Sequence, residues 1–428
     1  MTLFEELEWR GMVSESTEGV REALARERVT AYIGFDPTAS SLHIGNLLTV
    51  MGLARLQNFG HTPIAIVGGG TGMIGDPSGK SQERNLLSAE QIDLNLTGVR
   101  AQLEHFLDFN ATENAATIVN NADWLGAIDL LSYLRDVGKH FTVNYMLQKE
   151  SVSRRLESAD GISYTEFSYL VLQAYDFLQL FDRRHCTLQM GGTDQWGNIT
   201  AGIELIRRVR GKKAHGLVWP LLKTAAGTKF GKTEAGTVWL DPQRTSERDF
   251  YQFWLQTDDR DVINHLKIFT WLDRSEIERL ARDVEEDPAG RSAQRRLADE
   301  VTRMVHGESA LAQAQGDAAL RFGGAVTAEA LQNVAPTASI TIDKLTAGLA
   351  NTELVVIAGL AKSKSEAFRL IEQGGITIND APVFDPRALV SLDQARGNRF
   401  KVSRGRRGVA IVEVTGGEPA DAERGPAK

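Results

Sequence analysis

Near the start of the chain, two buried-strand patterns bracket one helical pattern, and that order restricts the fold more than any other feature. "VTAYIG", residues 29–34, is a short apolar run of strand length. Residues 43–58 then read as a helix: Leu47, Val50, Leu53, Ala54 and Phe59 stand near helical spacing, and Gly60 lies past the end. "PIAIVGGG", residues 63–70, is a second buried strand running into a glycine-rich turn. Strand, helix and strand over about forty residues make a βαβ unit, whose two strands must lie parallel. "CTLQMGG", residues 186–192, repeats the strand-to-glycine junction, and "LVWPLL", residues 217–222, reads as a further strand. The fold class expected is therefore α/β. In such a sheet, ligands bind where strands end and helices begin.

The rest of the chain is read around that sheet. Residues 88–185 are mostly helical in pattern, and residues 247–315 carry charged, helix-like segments such as "SEIERLARDVEE". Residues 316–341 are rich in Ala, Gly and Thr with weak periodicity, and pattern returns over 342–413. The domains expected are a parallel-sheet α/β domain with a helical insertion (1–240), an all-helical domain (241–320), a linker (321–341), a small α+β domain (342–414) and a disordered tail (415–428). Hydrophobic residues make up 42% and charged residues 24%, as in an ordinary soluble protein. No apolar run is long enough to span a membrane, and the acidic start "MTLFEELEWR" lacks the order of a signal peptide. A cytoplasmic location is the default expectation. Cys186 is the sole cysteine, so an intrachain disulfide is excluded, and no Cys/His cluster has zinc-ligand spacing. No bound structural metal is expected.

The first strand-to-helix junction is dense in polar groups. "YIGFDPT", residues 32–38, leads into "SLHIGNLLT", residues 41–49. His43 and Asn46 share one helix face, Thr49 continues it, and Gly45 would let a flat group near the backbone. A helix start offers free N–H groups and partial positive charge to an anion. Alone, this pattern fits a capped surface helix equally well. "LKTAAGTKFGKTEAGT", residues 222–237, is a Gly/Thr/Lys loop in which Lys229 and Lys232 flank Phe230-Gly231. Such a loop suits a clamp for a polyphosphate, or a solvated turn. In "YLVLQAYDFL", residues 169–178, Tyr169, Gln173 and Asp176 form one polar stripe on an otherwise apolar helix. A buried carboxylate needs a partner, either within an internal network or on a polar ligand.

These residues carry a resemblance. "HIGN" and "KFGKT" are similar to the HIGH and KMSKS signatures of class I aminoacyl-tRNA synthetases. Together with "YIGFDPTASSLHIGN", "GGGTGMIGDPSGK", "TEFSYLVLQAYDF" and "GGTDQWGNI", they resemble the bacterial tyrosyl-tRNA synthetase family in order along nearly the whole chain. The resemblance implies a Rossmann-like catalytic domain, a helical domain and an S4-like RNA-binding domain. It implies that Gly34, Asp36, Thr38, His43, Gly45, Asn46, Thr49, Gly192, Asp194, Lys229 and Lys232 bind ATP, used with Mg2+. Asn46 stands where the family signature has its second histidine. The implied tyrosine pocket has Tyr169, Gln173 and Asp76 at the ammonium, Gln195 near the carboxylate, and Asp176 and Tyr32 at the phenol hydroxyl. Thr38, His43, Lys229, Lys232, Thr233, Lys80 and Arg84 would stabilise the departing pyrophosphate.

Residues 352–413 carry a net charge of +3 against −8 for the whole chain. "LAKSKSEAFRLIEQGGITIND" resembles the core of the S4 fold, and Lys362, Lys364, Arg369, Arg404, Arg406 and Arg407 are the expected RNA contacts. The implied partners are L-tyrosine, ATP and tRNA(Tyr), with no membrane. The resemblance, together with the apolar segment "LLSYLRDVGKHFTVNYML", residues 130–147, leads to the expectation of a homodimer that buries this segment. Within enzymes the alternatives are a tryptophanyl-tRNA synthetase or another class I nucleotidyl transferase. Outside them stands a non-catalytic RNA-binding paralogue.

Overall fold

The computed structural model describes residues 1–78, 87–157, 161–225, 227–228, 230–233, 236–322, 327–332, 334, 336–405 and 408–416. Lys80, Arg84, Lys229, Arg406, Arg407 and residues 417–428 of the expected tail lie outside the described residues, as do the side chains of Lys232 and Thr233, while Thr415, the first residue of that tail, belongs to a strand. The chain divides into two compact units: 1–246 with 254–297, and 247–253 with 298–428.

The first unit is built on a six-stranded sheet. Its strands are β1 (Glu15–Ser16), β2 (Thr30–Phe35), β3 (Thr62–Val67), β4 (Thr117–Asn120), β5 (Cys186–Gly192) and β6 (His215–Trp219), in the order β1-β6-β5-β2-β3-β4. All neighbours are parallel except the short β1 edge. The βαβ unit expected at the start is β2, the helix Ile44–Asn58 and β3, with Tyr32 opposite Ile64 and Gly34 opposite Ile66. β2 runs on to β3 and β4 on one side, while β5 and β6 lie on the other. The sheet therefore reverses its direction of growth between β2 and β5, and the crevice beyond their carboxyl ends is where a parallel sheet receives ligand. β4 falls inside the region read as helical. Its four residues, "TIVN", are half-buried throughout, too short and too evenly wetted to leave a periodic signal. The long helices Tyr164–Arg184 and Trp196–Arg210 bury Leu170, Ala174, Phe177, Ala201 and Leu205 beside Tyr32 and Ile64 of the sheet. Tyr32 and Phe177 meet ring to ring at 5.3 Å.

A small ribbon follows, β7 (Lys232–Thr233) against β8 (Gly236–Thr237). The helical region comes next, with helices Glu247–Leu255, Asp259–Phe269, Arg274–Glu286 and Ser292–Phe322, the last broken at Gly307. It is shared between the two units.

The second unit holds a five-stranded sheet. Its strands are β9 (Ala338–Thr341), β11 (Ile376–Ile378), β12 (Ala381–Pro382), β14 (Arg399–Arg404) and β15 (Gly408–Thr415); β10 (Leu349–Ala350) pairs separately with β13 (Leu389–Val390). Leu354, Val355 and Ile371 of two short helices pack with Ile376, Phe400 and Val412 of the sheet. β9 and the helix Ala328–Gln332 lie in the segment expected as linker. β9 buries only Ile340 and exists because it lies parallel to β15, a pairing between residues far apart in sequence.

Candidate functional site

One cleft of about 740 Å³ opens beyond the ends of β2 and β5. Its lining includes Tyr32, Asp76, Tyr169, Gln173, Asp176 and Gln195, the six side chains expected around tyrosine. It also includes Gly34, Asp36, Thr38, His43, Gly45, Asn46, Thr49, Gly192 and Asp194, nine of the positions expected around ATP. The backbone of Lys232–Thr233 lies in the β7–β8 ribbon.

The deep end is organised by Asp176. Asn121 Nδ2–H donates to its Oδ2 at 2.9 Å, and Trp124 Nε1–H donates to its Oδ1 at 2.7 Å. Burial outweighs the opposing pull of those two hydrogen bonds and leaves the carboxyl raised to about 7. Asn121 also donates to the Thr71 hydroxyl at 2.9 Å, and Thr71 donates to Asp36 Oδ1 at 3.0 Å. Tyr169 O–H donates to the other Asp36 oxygen at 3.0 Å. The Tyr32 hydroxyl is buried among these groups with no hydrogen-bond partner among the described residues. Its ionisation is raised well above the usual phenol value, first by burial and then by the Asp176 charge.

A second network runs along the neighbouring wall. Gln195 Nε2–H donates to Asp76 Oδ2 at 2.7 Å, and Gln173 Nε2–H donates to Gln195 Oε1 at 3.1 Å. Asn198 Nδ2–H reaches Gln173 Oε1 at 3.0 Å. The Ser78 backbone N–H donates to Asp76 Oδ1 at 2.8 Å. Tyr169, Gln173 and Asp176 thus bond to other elements rather than to one another. Among the described residues no hydrogen bond joins any two of these three side chains, and the Asp176 carboxylate is held instead by an internal network with Asn121 and Trp124.

At the mouth, His43 and Asn46 form a reciprocal cap on the helix Ile44–Asn58. The Asn46 backbone N–H donates to His43 Nδ1 at 3.2 Å, and the His43 backbone N–H donates to Asn46 Oδ1 at 3.1 Å. With its oxygen engaged, the Asn46 amide keeps its N–H groups for other acceptors. Gly45 was expected to let a ligand approach; the structure adds a nearer reason. A Cβ there would stand 2.8 Å from the His43 ring, so the glycine makes room for its own motif's imidazole.

Four side chains of these networks escaped the sequence reading: Asn121, Trp124, Asn198 and Thr71. Asn121 and Trp124 lie more than fifty positions from Asp176, and "NNADW" after a weak strand gives little sign of them. Asn198 and Thr71 lay within quoted motifs, and an amide in the first turn of the helix Trp196–Arg210 and a hydroxyl just past β3 were the available signal.

In the second unit, Lys362, Lys364, Arg369 and Arg404 are exposed. Lys364 pairs with Glu353, and Arg404 with Glu366 at 3.1 Å. Not all of the counted positive charge faces outward: Lys401 is buried against Asp380 at 2.7 Å.

Comparison with known proteins follows the same lines. The family model for tRNA synthetases class I (W and Y) matches residues 24–323, and the S4 domain model matches 353–394. The tyrosine–tRNA ligase of Roseiflexus castenholzii is 53% identical over 421 residues, covering 96% of this chain and 99% of that protein. That of Bacillus caldotenax is 51% identical over 411 residues, covering 94% and 97%. A C-terminally truncated Aspergillus nidulans mitochondrial tyrosyl-tRNA synthetase superposes with a TM-score of 0.66 at 30% identity, over 72% of this chain and 91% of that one. A family match across most of the length, joined to full-length relatives sharing half their residues, places the chain without ambiguity: it belongs to the class I tRNA synthetases, among the tyrosine–tRNA ligases.

Proposed function

We propose that the protein activates L-tyrosine with ATP to tyrosyl-adenylate and pyrophosphate, then transfers the tyrosyl group to the 3′-terminal ribose of tRNA(Tyr). The observation that carries this reading is the deep end of the cleft. The buried Tyr32 hydroxyl has no hydrogen-bond partner among the described residues and stands within the influence of a carboxylate whose oxygens each already accept one N–H. A phenol reaching this end donates its O–H to Asp176 and accepts from Tyr32. An indole cannot do both, because its nitrogen only donates. That separates tyrosine from the tryptophan branch of the family. A phenylalanine ring leaves both groups unpaired; such a loss is the general source of rejection by hydrogen-bonding pockets, and the tyrosine enzyme is the standard example, at about 10⁵-fold.

Tyr169, Gln173 and Asp76 receive the ammonium, and Gln195 lies toward the carboxylate. The tyrosine carboxylate then attacks the α-phosphorus of ATP. Mg2+ arrives on the ATP phosphates as part of the substrate. His43, Thr38, Lys229, Lys232 and Thr233 stabilise the charge that grows on the leaving pyrophosphate, and Lys80 and Arg84 belong to the same set. Asp36, bonded to Tyr169 and Thr71, joins the two ends of the cleft. No step needs a covalent enzyme nucleophile.

The basic residues Lys362, Lys364, Arg369, Arg404, Arg406 and Arg407 supply the tRNA-binding face. The protein works as a cytoplasmic homodimer, through a surface that includes Leu130, Leu131, Leu134 and Val143, all large apolar side chains left exposed in the single chain. Among the described residues no helix is long and apolar enough to cross a membrane. Tyrosine-dependent ATP–pyrophosphate exchange tests the activity directly. Its absence, or an equal rate with tryptophan, overturns the reading. Sedimentation at micromolar concentration tests the dimer, and a monomer counts against it.

A further inference from the structure

The loop that carries Lys229 and Lys232 is held from outside the cleft. The Ala225 backbone N–H donates to Asp261 Oδ2 at 2.8 Å. The Phe230 ring, only 5% exposed, enters a cage of three aromatic side chains. It lies 4.7 Å from His265, 5.8 Å from Trp254, and 5.4 Å from Phe269, nearly parallel to that last ring. Burial lowers the His265 imidazole to about 4, so the cage is uncharged at neutral pH. Asp261, His265 and Phe269 stand at i, i+4 and i+8 of the helix Asp259–Phe269, one continuous stripe facing the loop.

That helix is itself tied to the helix that starts at His43. Arg55, near the far end of Ile44–Asn58, donates to the carbonyl oxygens of Ile268 at 3.0 Å and Thr270 at 2.7 Å. Arg10 donates to those of Lys267 at 2.6 Å and Leu272 at 2.9 Å. The loop closes the circuit at the cleft. Gly231, at φ +87°, lets the chain turn where a Cβ would stand 3.0 Å from Ile44. The Val238 N–H donates to Gly231 O at 3.3 Å, and the Ile44 N–H donates to Val238 O at 3.1 Å.

We infer that Phe230 and Asp261 are positioning residues for the lysine loop, and that the helix Asp259–Phe269 sets the loop's place relative to the His43 helix start. The inference rests on the proposed function for what the loop does, but not for how it is held. Phe230 lies between the two signature lysines, so seating its ring sets the register of both. Asp261 fixes the loop's other limb. Asp261 is not among the residues lining the cleft, and Phe230, which borders it, has its ring engaged in the cage.

The test uses the full-length protein with Phe230→Ala, Phe230→Leu, Asp261→Ala and Asp261→Asn. Single-turnover adenylate formation, equilibrium tyrosine binding and tryptic cleavage at Lys223, Lys229 and Lys232 are measured on each. Misplacing a reacting group by about 1 Å costs about a hundredfold in rate. Phe230→Ala is expected to slow adenylate formation by about 10- to 100-fold, with tyrosine affinity within about twofold. Loop cleavage quickens. Phe230→Leu, which refills part of the cage, and Asp261→Asn, which keeps an acceptor for Ala225, recover most of the rate. Asp261→Ala does not, and as a half-exposed site it guards against an unfolded Phe230 variant. Unchanged loop cleavage and rate in both alanine variants overturn the clasp. So does a loss of tyrosine affinity in step with rate. If the unaltered protein shows no tyrosine-dependent exchange while loop cleavage still rises in the variants, the clasp stands and the proposed function falls.

Discussion

At the deep end of the cleft, the Asp176 carboxylate takes an N–H on each oxygen, from Trp124 and from Asn121, and the chain of bonds continues from Asn121 through Thr71 and Asp36 to Tyr169. At the mouth, the lysine loop depends on a backbone N–H to Asp261 and one ring in an aromatic cage. The first construction is preformed: its groups are buried, mutually bonded and carried on strand ends and a long helix. The second is a loop held through one buried ring and one backbone hydrogen bond, by contacts from two helices. A site that must tell two amino acids apart benefits from groups that cannot relax around the wrong one. A site that must meet charge only as it develops needs placement at that moment, and its binding energy belongs in the transition state.

That contrast can be broken by measurement. The largest effect is expected at the mouth. Lys232→Ala should slow adenylate formation by about 10²–10³-fold, the usual cost of losing a group that stabilises a developing anion. Tyrosine affinity should stay within about twofold. A large loss of tyrosine affinity at constant rate would erase the distinction between the two ends.

Next comes Asp176→Asn. A hydrogen bond to a charged group is worth roughly 1.5–3 kcal/mol, so kcat/KM for tyrosine in pyrophosphate exchange should fall by about ten- to a hundredfold. The preference for tyrosine over phenylalanine should fall with it. If both activities drop while their ratio holds, Asp176 is a core residue and the pocket lies elsewhere.

The third effect is proton linkage. Tyrosine binds best to ionised Asp176, whose carboxyl titrates near 7 in the free protein because it is buried. Affinity should decline by about tenfold per pH unit once pH drops below that value, and Asp176→Asn should flatten the profile. Stability runs the other way. The folded carboxyl holds its proton up to about 7 whereas the ordinary value is 3.8, so this group's contribution is complete at pH below 3.8 and is lost as pH rises through 7. Thermal melts of the unliganded protein and of Asp176→Asn across that range check the sign.

The smallest effect should be Asn46→Ala. It removes half of the reciprocal cap, worth about 0.5–2 kcal/mol of stability for a cap side chain, and should lower the melting temperature without altering the tyrosine-to-phenylalanine ratio.

Legibility in the sequence followed the same divide between local and distant. β2 and β3 were readable because each is a continuous apolar run bounded by turn residues. β4 and β9 were not: four residues each, recognisable only by what they pair with. The polar stripe Tyr169, Gln173 and Asp176 could be placed on one helix from spacing alone. Its partners could not, because Asn121 and Trp124 meet Asp176 only after β4 joins the sheet. The loop's lysines were visible as a motif, whereas Phe230 between them carried no sign that it was an anchor until Trp254, His265 and Phe269 came together around it.

The cap at the start of the His43 helix has a consequence for proton position. A backbone N–H can only donate, so His43 Nδ1, 3.2 Å from the Asn46 nitrogen, must present its lone pair. The neutral ring then carries its hydrogen on Nε2. Of the two tautomers open to a free imidazole, the helix start selects the one whose outer nitrogen gives a hydrogen bond and cannot accept one. Phosphate oxygens only accept, so the choice is made before any nucleotide arrives. The opposite tautomer would set two hydrogens against each other at the first turn and uncap the helix in the same movement.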